Sequence, residues 1–391
     1  MQELQMEIEV QGKTDPSFND VKTSFASLWQ TIEVGASLCV YFQGEKVIDL
    51  WGGFTDRDQS LSWQADTLVN VYSASKGIAA FAFAILVDEG KIKYEDLVAT
   101  HWPEFGASSK HKITVAQLLS HQGGLCGIET PLMVSDLYDW DKMVNLLAAQ
   151  KPLFEPGTAA AYHAVSWGYL IGELIRKLTG KTIGTFIREK ICEPLDADFY
   201  LGLPDSALCR YAPLIGPNHM RNKGLSKPKD EKPAINPKLF KLALMNPAIS
   251  PFKDACSEPW RKAEIPASNG HSSARGLAKI YAAMANNGIL NGVKICSQDS
   301  LHQARQVEVE HQKDLVLGTV IRRSRGFILN SDQNYGPSPT SFGHAGAGGS
   351  MAFADPELNL SFAYTMNQMQ NDAHLPRYKS LIDHVYRCLS R

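Results

Sequence analysis

The sequence lacks the short patterns of two common classes of hydrolase. It contains no Gly-x-Ser-x-Gly, the turn that carries the catalytic serine of α/β-hydrolases. It contains no His-Glu-x-x-His either, and its 11 histidines are dispersed along the chain, which does not indicate a metal site. The sequence therefore predicts neither an α/β-hydrolase nor a metallohydrolase, and we expect no metal and no cofactor.

The sequence also lacks an excess of either charge and a long apolar run. Its 39 basic and 41 acidic residues give a formal net charge of −2, so we expect neither a nucleic-acid partner nor recruitment to a membrane surface. The longest apolar run, 78–87, is too short to span a bilayer. Residues 1–9 are acidic and interrupted, unlike a signal peptide.

The seven cysteines include no Cys-x-x-Cys pair, are scattered, and are odd in number. This distribution favours reduced thiols that serve mainly as packing residues. We therefore expect a cytoplasmic protein. Whether it is a monomer or a homodimer is left open by the sequence.

The hydrophobic pattern along the chain predicts strands at both ends and helices between them. Strand patterns occur at 36–42, 46–52, 315–321, 326–329, 350–354 and 360–366. Helix patterns occur at 18–31, from 73 to about 88, and at 114–120, 134–149, 165–178, 182–191, 273–286 and 375–389. The predicted fold class is α/β of the α+β kind, with an antiparallel sheet built from both chain ends, flanked by terminal helices, and an inserted helical lobe.

The length of 391 residues suits one large domain of two lobes. We expect a single catalytic domain, 1–391, in which 1–70 and 270–391 form an α/β lobe and 71–269 a helical lobe. Residues 213–262 are rich in Pro, Lys and Asn and predict a long irregular segment that lines a pocket.

The most informative local pattern is Ser73-Ala74-Ser75-Lys76 at the start of a strongly apolar helix. Ser73 and Lys76 are three residues apart, so on a helix their side chains can meet. A serine hydroxyl attacks poorly until a base takes its proton, and an amine partly withdrawn from water can take it. An N-capping serine followed by a solvated lysine fits the same spacing, so spacing alone leaves both interpretations open.

Context separates this pattern from the three other Ser-x-x-Lys sequences in the chain, which begin at Ser109, Ser226 and Ser250. The first two lie in polar runs typical of loops, and Ser250 precedes a proline that suits a capped turn. Only Ser73 opens a long helix, whose first N–H groups can help to hold negative charge.

A second candidate is Tyr162, which follows Pro156-Gly157 and precedes a helix pattern. A tyrosine near a cationic lysine can have a lowered pKa and act as a general base. The alternative is a packed tyrosine with a satisfied hydroxyl. Alternation turns the neighbouring His163 away from Tyr162, and we interpret His121 as a structural turn residue.

A third candidate is the glycine-rich segment 343–349 around His344. No helix pattern follows it and it has no Gly-Lys-Ser/Thr ending, so a phosphate loop is disfavoured. Glycines before a strand instead allow a substrate to approach the backbone, and a backbone N–H there can donate to an oxyanion.

Taken in order, these segments resemble the serine β-lactamase and penicillin-binding protein superfamily, and most of all its class C-like branch and the β-lactamase-related family VIII esterases. Ser73-x-x-Lys76 is similar to the first motif of that superfamily, which carries the nucleophile and lysine. Residues 113–121 and the Tyr162 segment also match the branch, and His344-Ala345-Gly346 stands where it has Lys-Thr-Gly.

The resemblance implies a β-lactamase/DD-peptidase-like fold and assigns site residues. Ser73, Lys76 and Tyr162 would be catalytic, and the N–H groups of Ser73 and Ala347 would form the oxyanion hole. His344 and Gly346 would bind substrate.

Two departures from the class C pattern bear on the substrate. Ala164 replaces the asparagine of Tyr-x-Asn, and His344 replaces a lysine that would attract a carboxylate. Both favour uncharged esters, so we expect a serine carboxylesterase that hydrolyses small, short-acyl esters through an acyl-enzyme. The alternatives are a β-lactamase or D-Ala-D-Ala peptidase, an acyltransferase using the same acyl-enzyme, and, as the least favoured, a non-catalytic receptor or scaffold.

Overall fold

A nine-stranded antiparallel sheet is the centre of the computed structural model, which describes residues 8–30, 32–216, 235–370 and 377–390. The strands of the described residues are β1 (Gln11–Thr14), β2 (Gly35–Phe42), β3 (Glu45–Gly53), β4 (Val69–Asn70), β5 (Phe199–Tyr200), β6 (His271–Ser272), β7 (Ile289–Leu290), β8 (Val293–Lys294), β9 (Val307–Val309), β10 (Arg323–Ser324), β11 (Ile328–Leu329), β12 (Phe342–Ala345), β13 (Met351–Asp355) and β14 (Leu360–Met366). The order in the large sheet is β1-β3-β2-β14-β13-β12-β11-β10-β9.

Helices occupy most of the chain between the two groups of strands. Those of the described residues are α1 (Asn19–Ser27), α2 (Ser75–Asp88), α3 (Val98–His101), α4 (Val115–Leu119), α5 (Trp140–Ala149), α6 (Ser166–Thr179), α7 (Ile183–Ile187), α8 (Glu193–Leu195), α9 (Pro237–Leu244), α10 (Glu258–Lys262), α11 (Ala274–Ala285), α12 (Gln298–Ala304) and α13 (Arg377–Leu389). A one-turn 3-10 helix, Tyr72–Ala74, leads directly into α2.

The two ends of the chain meet where β2 pairs with β14, over seven residues from Ala36↔Met366 to Phe42↔Leu360. Side chains along β14 alternate between the two faces of the sheet. Phe362 and Tyr364 belong to the core that also contains residues of α1 and α13, and Ala363 belongs to the core that contains α2 and α11. The sheet built from both chain ends and flanked by helices is therefore as the sequence predicts.

Helix α2 is buried almost all round, as expected of a helix that is apolar on every face. It packs against α6, α7 and α12, and its N-terminal turn contacts β12. Gly77 allows Tyr281 of α11 to approach α2 closely, because a Cβ there would lie 1.9 Å from the Tyr281 hydroxyl oxygen. The rigid surroundings of α2 fix the positions of the residues in its first turn.

Two local predictions are wrong, one for residues 315–321 and one for residues 213–262. Residues 315–321 are not a strand but a turn, with bridges only at 313 and 320. The apolar side chains of Leu315, Val316 and Leu317 pack around Tyr162 and Ala164 instead of entering the sheet, and the Asp314 carboxylate accepts the N–H groups of 316 and 317.

The segment 213–262, predicted to be irregular, contains α9 and α10, both with a proline in their first turn and a side-chain cap. Its part 217–234 lies outside the described residues. All seven cysteines are described and none forms a disulfide. Within the described ranges, no helix is both long and apolar enough to cross a bilayer.

The pairing of β13 and β14 gives a prediction about stability. Phe362 is fully buried and stacks on Phe353 with 5.4 Å between ring centroids. Phe362→Ala leaves a cavity in the core and should lower the free energy of unfolding by about 3–5 kcal/mol in urea denaturation. The control is Leu358→Ala in the turn between the same strands, where the side chain is 37% exposed and the change should stay within about 0.5 kcal/mol. Equal losses in both variants would contradict this prediction.

Candidate active site

Ser73 lies in a strained turn immediately before α2. The preceding residue, Tyr72, has φ of 46°, a conformation that costs free energy for a side chain of this size. The Ser75 hydroxyl supports the turn, since it donates to the Tyr72 carbonyl at 2.5 Å and accepts the Gly270 N–H at 2.9 Å. Ser73 is thereby held half-buried at the N-terminal end of the most buried helix.

Two side chains, one from the same helical turn and one from a distant part of the chain, meet at the Ser73 Oγ. The Tyr162 hydroxyl donates to it at 2.6 Å, and the Lys76 Nζ lies 3.3 Å from it. The Lys76 Nζ also lies 4.7 Å from the centroid of the Tyr162 ring. The structure therefore brings together the alcohol, amine and phenol that the sequence analysis selected.

The Lys76 amine is fully buried, and two backbone carbonyls accept its N–H groups. These are Ala164 O at 2.8 Å and Ala267 O at 3.0 Å. Burial, followed by the positive charge of Arg323, lowers the pKa of Lys76 well below its usual value. A neutral amine that donates two N–H groups to these carbonyls would have its lone pair free to face the Ser73 Oγ. This is the geometry of a general base.

The Tyr162 hydroxyl behaves differently from the sequence-based expectation. Burial raises its pKa to about 12, and the hydrogen bond to Ser73 and the charge of Arg323 offset this only in part. The expectation of a lowered pKa was wrong, because burial of the phenol itself outweighs the groups that lower its pKa. Tyr162 is therefore a neutral phenol that can donate a proton.

Three buried histidines surround this centre. His121 has φ of 67° and its Nδ1 accepts the His163 N–H at 3.0 Å, which fits the predicted structural role. The His163 Nε2 accepts the Leu125 N–H at 3.1 Å. Burial lowers the pKa of all three, of His163 to about 4 and of His344 to about 3, so they are neutral near pH 7.

His344, predicted to bind substrate, is only 4% exposed. Its Nδ1 lies 2.7 Å from the Ala345 carbonyl oxygen, and its buried Nε2 makes no hydrogen bond within the described part of the chain. Its ring centroid is 6.3 Å from that of Tyr162. It contacts the catalytic candidates as a neutral ring and adds no positive charge to the site.

The glycine-rich segment forms the turn between β12 and β13. Gly346 packs directly against the nucleophile turn, since a Cβ there would lie 2.1 Å from the Val71 carbonyl oxygen. The next residue, Ala347, is exposed, and its N–H has no acceptor among the described residues. The Ala347 N–H, which the resemblance assigns to the oxyanion hole, therefore lies in a turn, one residue after the glycine that packs against the Ser73 turn.

Sequence reasoning missed three residues of this site. Apart from its place in the Ser73–Lys76 motif, no feature of the sequence indicated a role for Ser75. Asp314 and Arg323 lie on either side of a segment that we interpreted as a strand. The Asp314 Oδ1 accepts the Tyr162 N–H at 3.1 Å, and its Oδ2 lies 2.5 Å from the Arg323 Nη2. A charged residue on either side of a strand-like apolar run was the only available hint. No group of three metal-ligating side chains occurs within the described ranges.

Residues 25–386 match the family model of the beta-lactamases. The chain belongs to the beta-lactamase family. Among the relatives of this family member, the esterase/beta-lactamase LipL of Mycobacterium tuberculosis (strain ATCC 25618 / H37Rv) is 35% identical over 362 residues, which cover 92% of this chain and 83% of LipL. The resemblance inferred from the four sequence segments is confirmed.

Two solved structures are similar over nearly the whole length of this beta-lactamase family member. A family VIII carboxylesterase has a TM-score of 0.89 at 42% identity and covers 97% of this chain and 100% of its own. A penicillin-binding protein homologue from Caulobacter crescentus has a TM-score of 0.89 at 38% identity, with coverage of 97% and 100%. The predicted β-lactamase/DD-peptidase-like fold is confirmed.

The contact of Gly346 with the nucleophile turn gives a second prediction. Gly346→Ala should lower kcat/KM for an ester by roughly 100-fold, because the added methyl group pushes the 346–347 backbone away from Ser73. Gly52→Ala is the control, since a Cβ there meets its nearest atoms only at 3.4 Å. Steady-state kinetics and thermal melts of both variants check this. Wild-type kinetics in a folded Gly346→Ala variant would refute it.

Proposed function

We propose that this beta-lactamase family member is a serine carboxylesterase in which Ser73, Lys76 and Tyr162 form the catalytic unit. The observation that carries the proposal is the contact of one serine oxygen with both a buried amine, at 3.3 Å, and a neutral phenol, at 2.6 Å. An activated serine of this kind is suited to acyl transfer through a covalent intermediate.

The acylation step follows from these contacts. The Ser73 hydroxyl gives its proton to the Lys76 lone pair as its oxygen bonds to the ester carbonyl carbon. The carbonyl electron pair moves to oxygen, and the N–H groups of Ser73 and Ala347 donate to this oxyanion. When the tetrahedral intermediate collapses, the C–O bond to the leaving group breaks, and the Tyr162 hydroxyl protonates the departing alkoxide oxygen to give the alcohol. Tyr162 then regains a proton from the Lys76 ammonium.

Deacylation repeats these steps with water as the nucleophile in place of the Ser73 hydroxyl. The water gives a proton to the same unit while its oxygen attacks the acyl carbon, and the intermediate collapses to release the acid and restore the Ser73 hydroxyl. Because Lys76 and Tyr162 share a hydrogen-bonded oxygen, they titrate as a unit. Their pKa shifts support a division of work in which Lys76 is the base and Tyr162 the proton donor.

An uncharged, short-acyl ester is the substrate class that we propose. The pKa of His344 is lowered to about 3, so this residue is a neutral imidazole where a cationic lysine would attract a carboxylate. Ala164 has no amide to hold a β-lactam side chain, although its carbonyl still accepts from Lys76. The names of LipL and of the family VIII carboxylesterase support ester hydrolysis.

The organisation and location of the protein belong to the same proposal. We infer one catalytic domain over 1–391, with an α/β lobe from 1–70 and 270–391 and a helical lobe from 71–269. The absence of disulfides among the seven cysteines, all of them described, supports a cytoplasmic location.

Three substitutions test the catalytic unit. Ser73→Ala, Lys76→Ala and Tyr162→Phe should each lower turnover of p-nitrophenyl acetate and butyrate by a factor on the order of 10³ or more. Ser73→Ala should also abolish labelling by a fluorophosphonate in intact-mass spectrometry.

The matched control is Ser109→Gly, which alters another Ser-x-x-Lys serine at an exposed position with φ of 69°. Its turnover should equal that of the wild type. Undiminished turnover in Ser73→Ala would defeat the proposal. Faster hydrolysis of nitrocefin than of p-nitrophenyl butyrate by the wild type would favour a β-lactamase instead.

A further inference from the structure

The turn at 313–320 is attached to the chain segment that carries Tyr162. The Leu315 N–H donates to the Ala160 carbonyl at 2.9 Å, and Val316 packs in a small core together with Ala161 and Tyr162. This turn joins β9 to β10, so it ties the edge of the large sheet to the phenol of the catalytic unit.

Asp314 makes the polar part of this attachment. Its Oδ1 accepts three backbone N–H groups, from Tyr162 at 3.1 Å and from Val316 and Leu317 at 2.9 Å each. A buried carboxylate that accepts several N–H groups is held in one orientation. The main chain at Tyr162 is therefore fixed by an anion and not by a neighbouring strand.

Arg323 provides the opposite charge. Its side chain is 2% exposed, its Nη2 lies 2.5 Å from the Asp314 Oδ2, and its guanidinium carbon is 5.5 Å from the centroid of the Tyr162 ring. Its Nε and Nη1 are buried without an acceptor among the described residues. Unsatisfied donors make a buried ion pair a poor source of stability, so the position of the cation requires another explanation.

Of the described titratable groups that interact with Lys76, only Arg323 carries a charge that does not depend on pH near neutrality. The titratable side chains that interact with Lys76 electrostatically are Arg323, His121, His163 and His344, and the Tyr162 ring lies beside its amine. The three histidines and the phenol are neutral near pH 7, for the reasons given above. Among the described residues, Arg323 is thus the permanent cation that acts on the amine.

We propose that Asp314 and Arg323 are positioning residues of the reaction: the carboxylate fixes the main chain of Tyr162, and the guanidinium puts a permanent positive charge against the tyrosine ring and near Lys76. The inference rests on the proposed function, because it assigns the pair a role in preparing Ser73. A nearby cation disfavours the protonated amine, so the pair keeps Lys76 ready to accept the Ser73 proton.

The experiment measures the rate of Ser73 labelling by a fluorophosphonate from pH 5 to pH 10. Removal of the cation makes the Lys76 ammonium easier to form, so the acid limb of the profile should move to higher pH, by roughly one unit. The variants are Arg323→Gln and the double variant Asp314→Asn/Arg323→Gln, which leaves no unpaired buried charge. Arg323→Lys keeps the charge and should keep the limb near its wild-type position.

The control is Arg322→Gln, one residue earlier, where a half-buried arginine pairs with Glu310, and its profile should match the wild type. A folded double variant with an unmoved limb, or an equal shift in Arg323→Lys and Arg323→Gln, would overturn the inference. Labelling does not require ester turnover, so a wild type that labels at Ser73 but hydrolyses no ester refutes the proposed function and leaves this test intact.

Discussion

The burial of one amine is the constraint on which the site depends. Lys76 has no access to water, two carbonyls accept its N–H groups, and its nitrogen lies 3.3 Å from one serine oxygen. A solvated ammonium would have a pKa near 10.4 and would be protonated at pH 7. Withdrawal from water lowers the pKa of Lys76 well below that value, and the proposed activation of Ser73 depends on this shift.

Three separate parts of the chain must be held in register for this burial to work. The Ala164 carbonyl comes just before α6, the Ala267 carbonyl from the loop before β6, and the amine from the first turn of α2. A shift of any one would leave a buried polar group without a partner, at a cost of about 1–3 kcal/mol. The dense apolar packing of α2 therefore serves the chemistry as well as the fold.

Much of the fold could be predicted because apolar periodicity is a local property. The strands at both chain ends and the long helices α2, α6 and α11 follow from that pattern. The strand predicted at 315–321 was wrong because Leu315, Val316 and Leu317 are apolar for packing against Tyr162, and periodicity cannot identify the surface that an apolar residue meets.

In the site, too, relations between residues close in sequence could be predicted from local geometry, and contacts between distant parts of the chain could not. Ser73 and Lys76 are three residues apart, so local geometry relates them, and Tyr162 was found by its place in an ordered set of motifs. Asp314 and Arg323 could not be found, because their relation to Tyr162 exists only after the sheet edge has docked on the tyrosine segment. The direction of the Tyr162 pKa shift could not be predicted either, since it depends on the degree of burial.

The charge balance of the site supports the proposed preference for an uncharged ester. The permanent cation of Arg323 is paired with Asp314, burial lowers the pKa of the Lys76 amine well below its usual value, and the histidines near Ser73 are neutral near pH 7. An anionic substrate would lose hydration here without meeting a compensating charge. A neutral ester loses less. In the proposed mechanism, a new positive charge arises when Lys76 takes the Ser73 proton, at the moment the oxyanion forms. The attraction between these charges is absent from the ground state, so it lowers the barrier and not merely the free energy of binding.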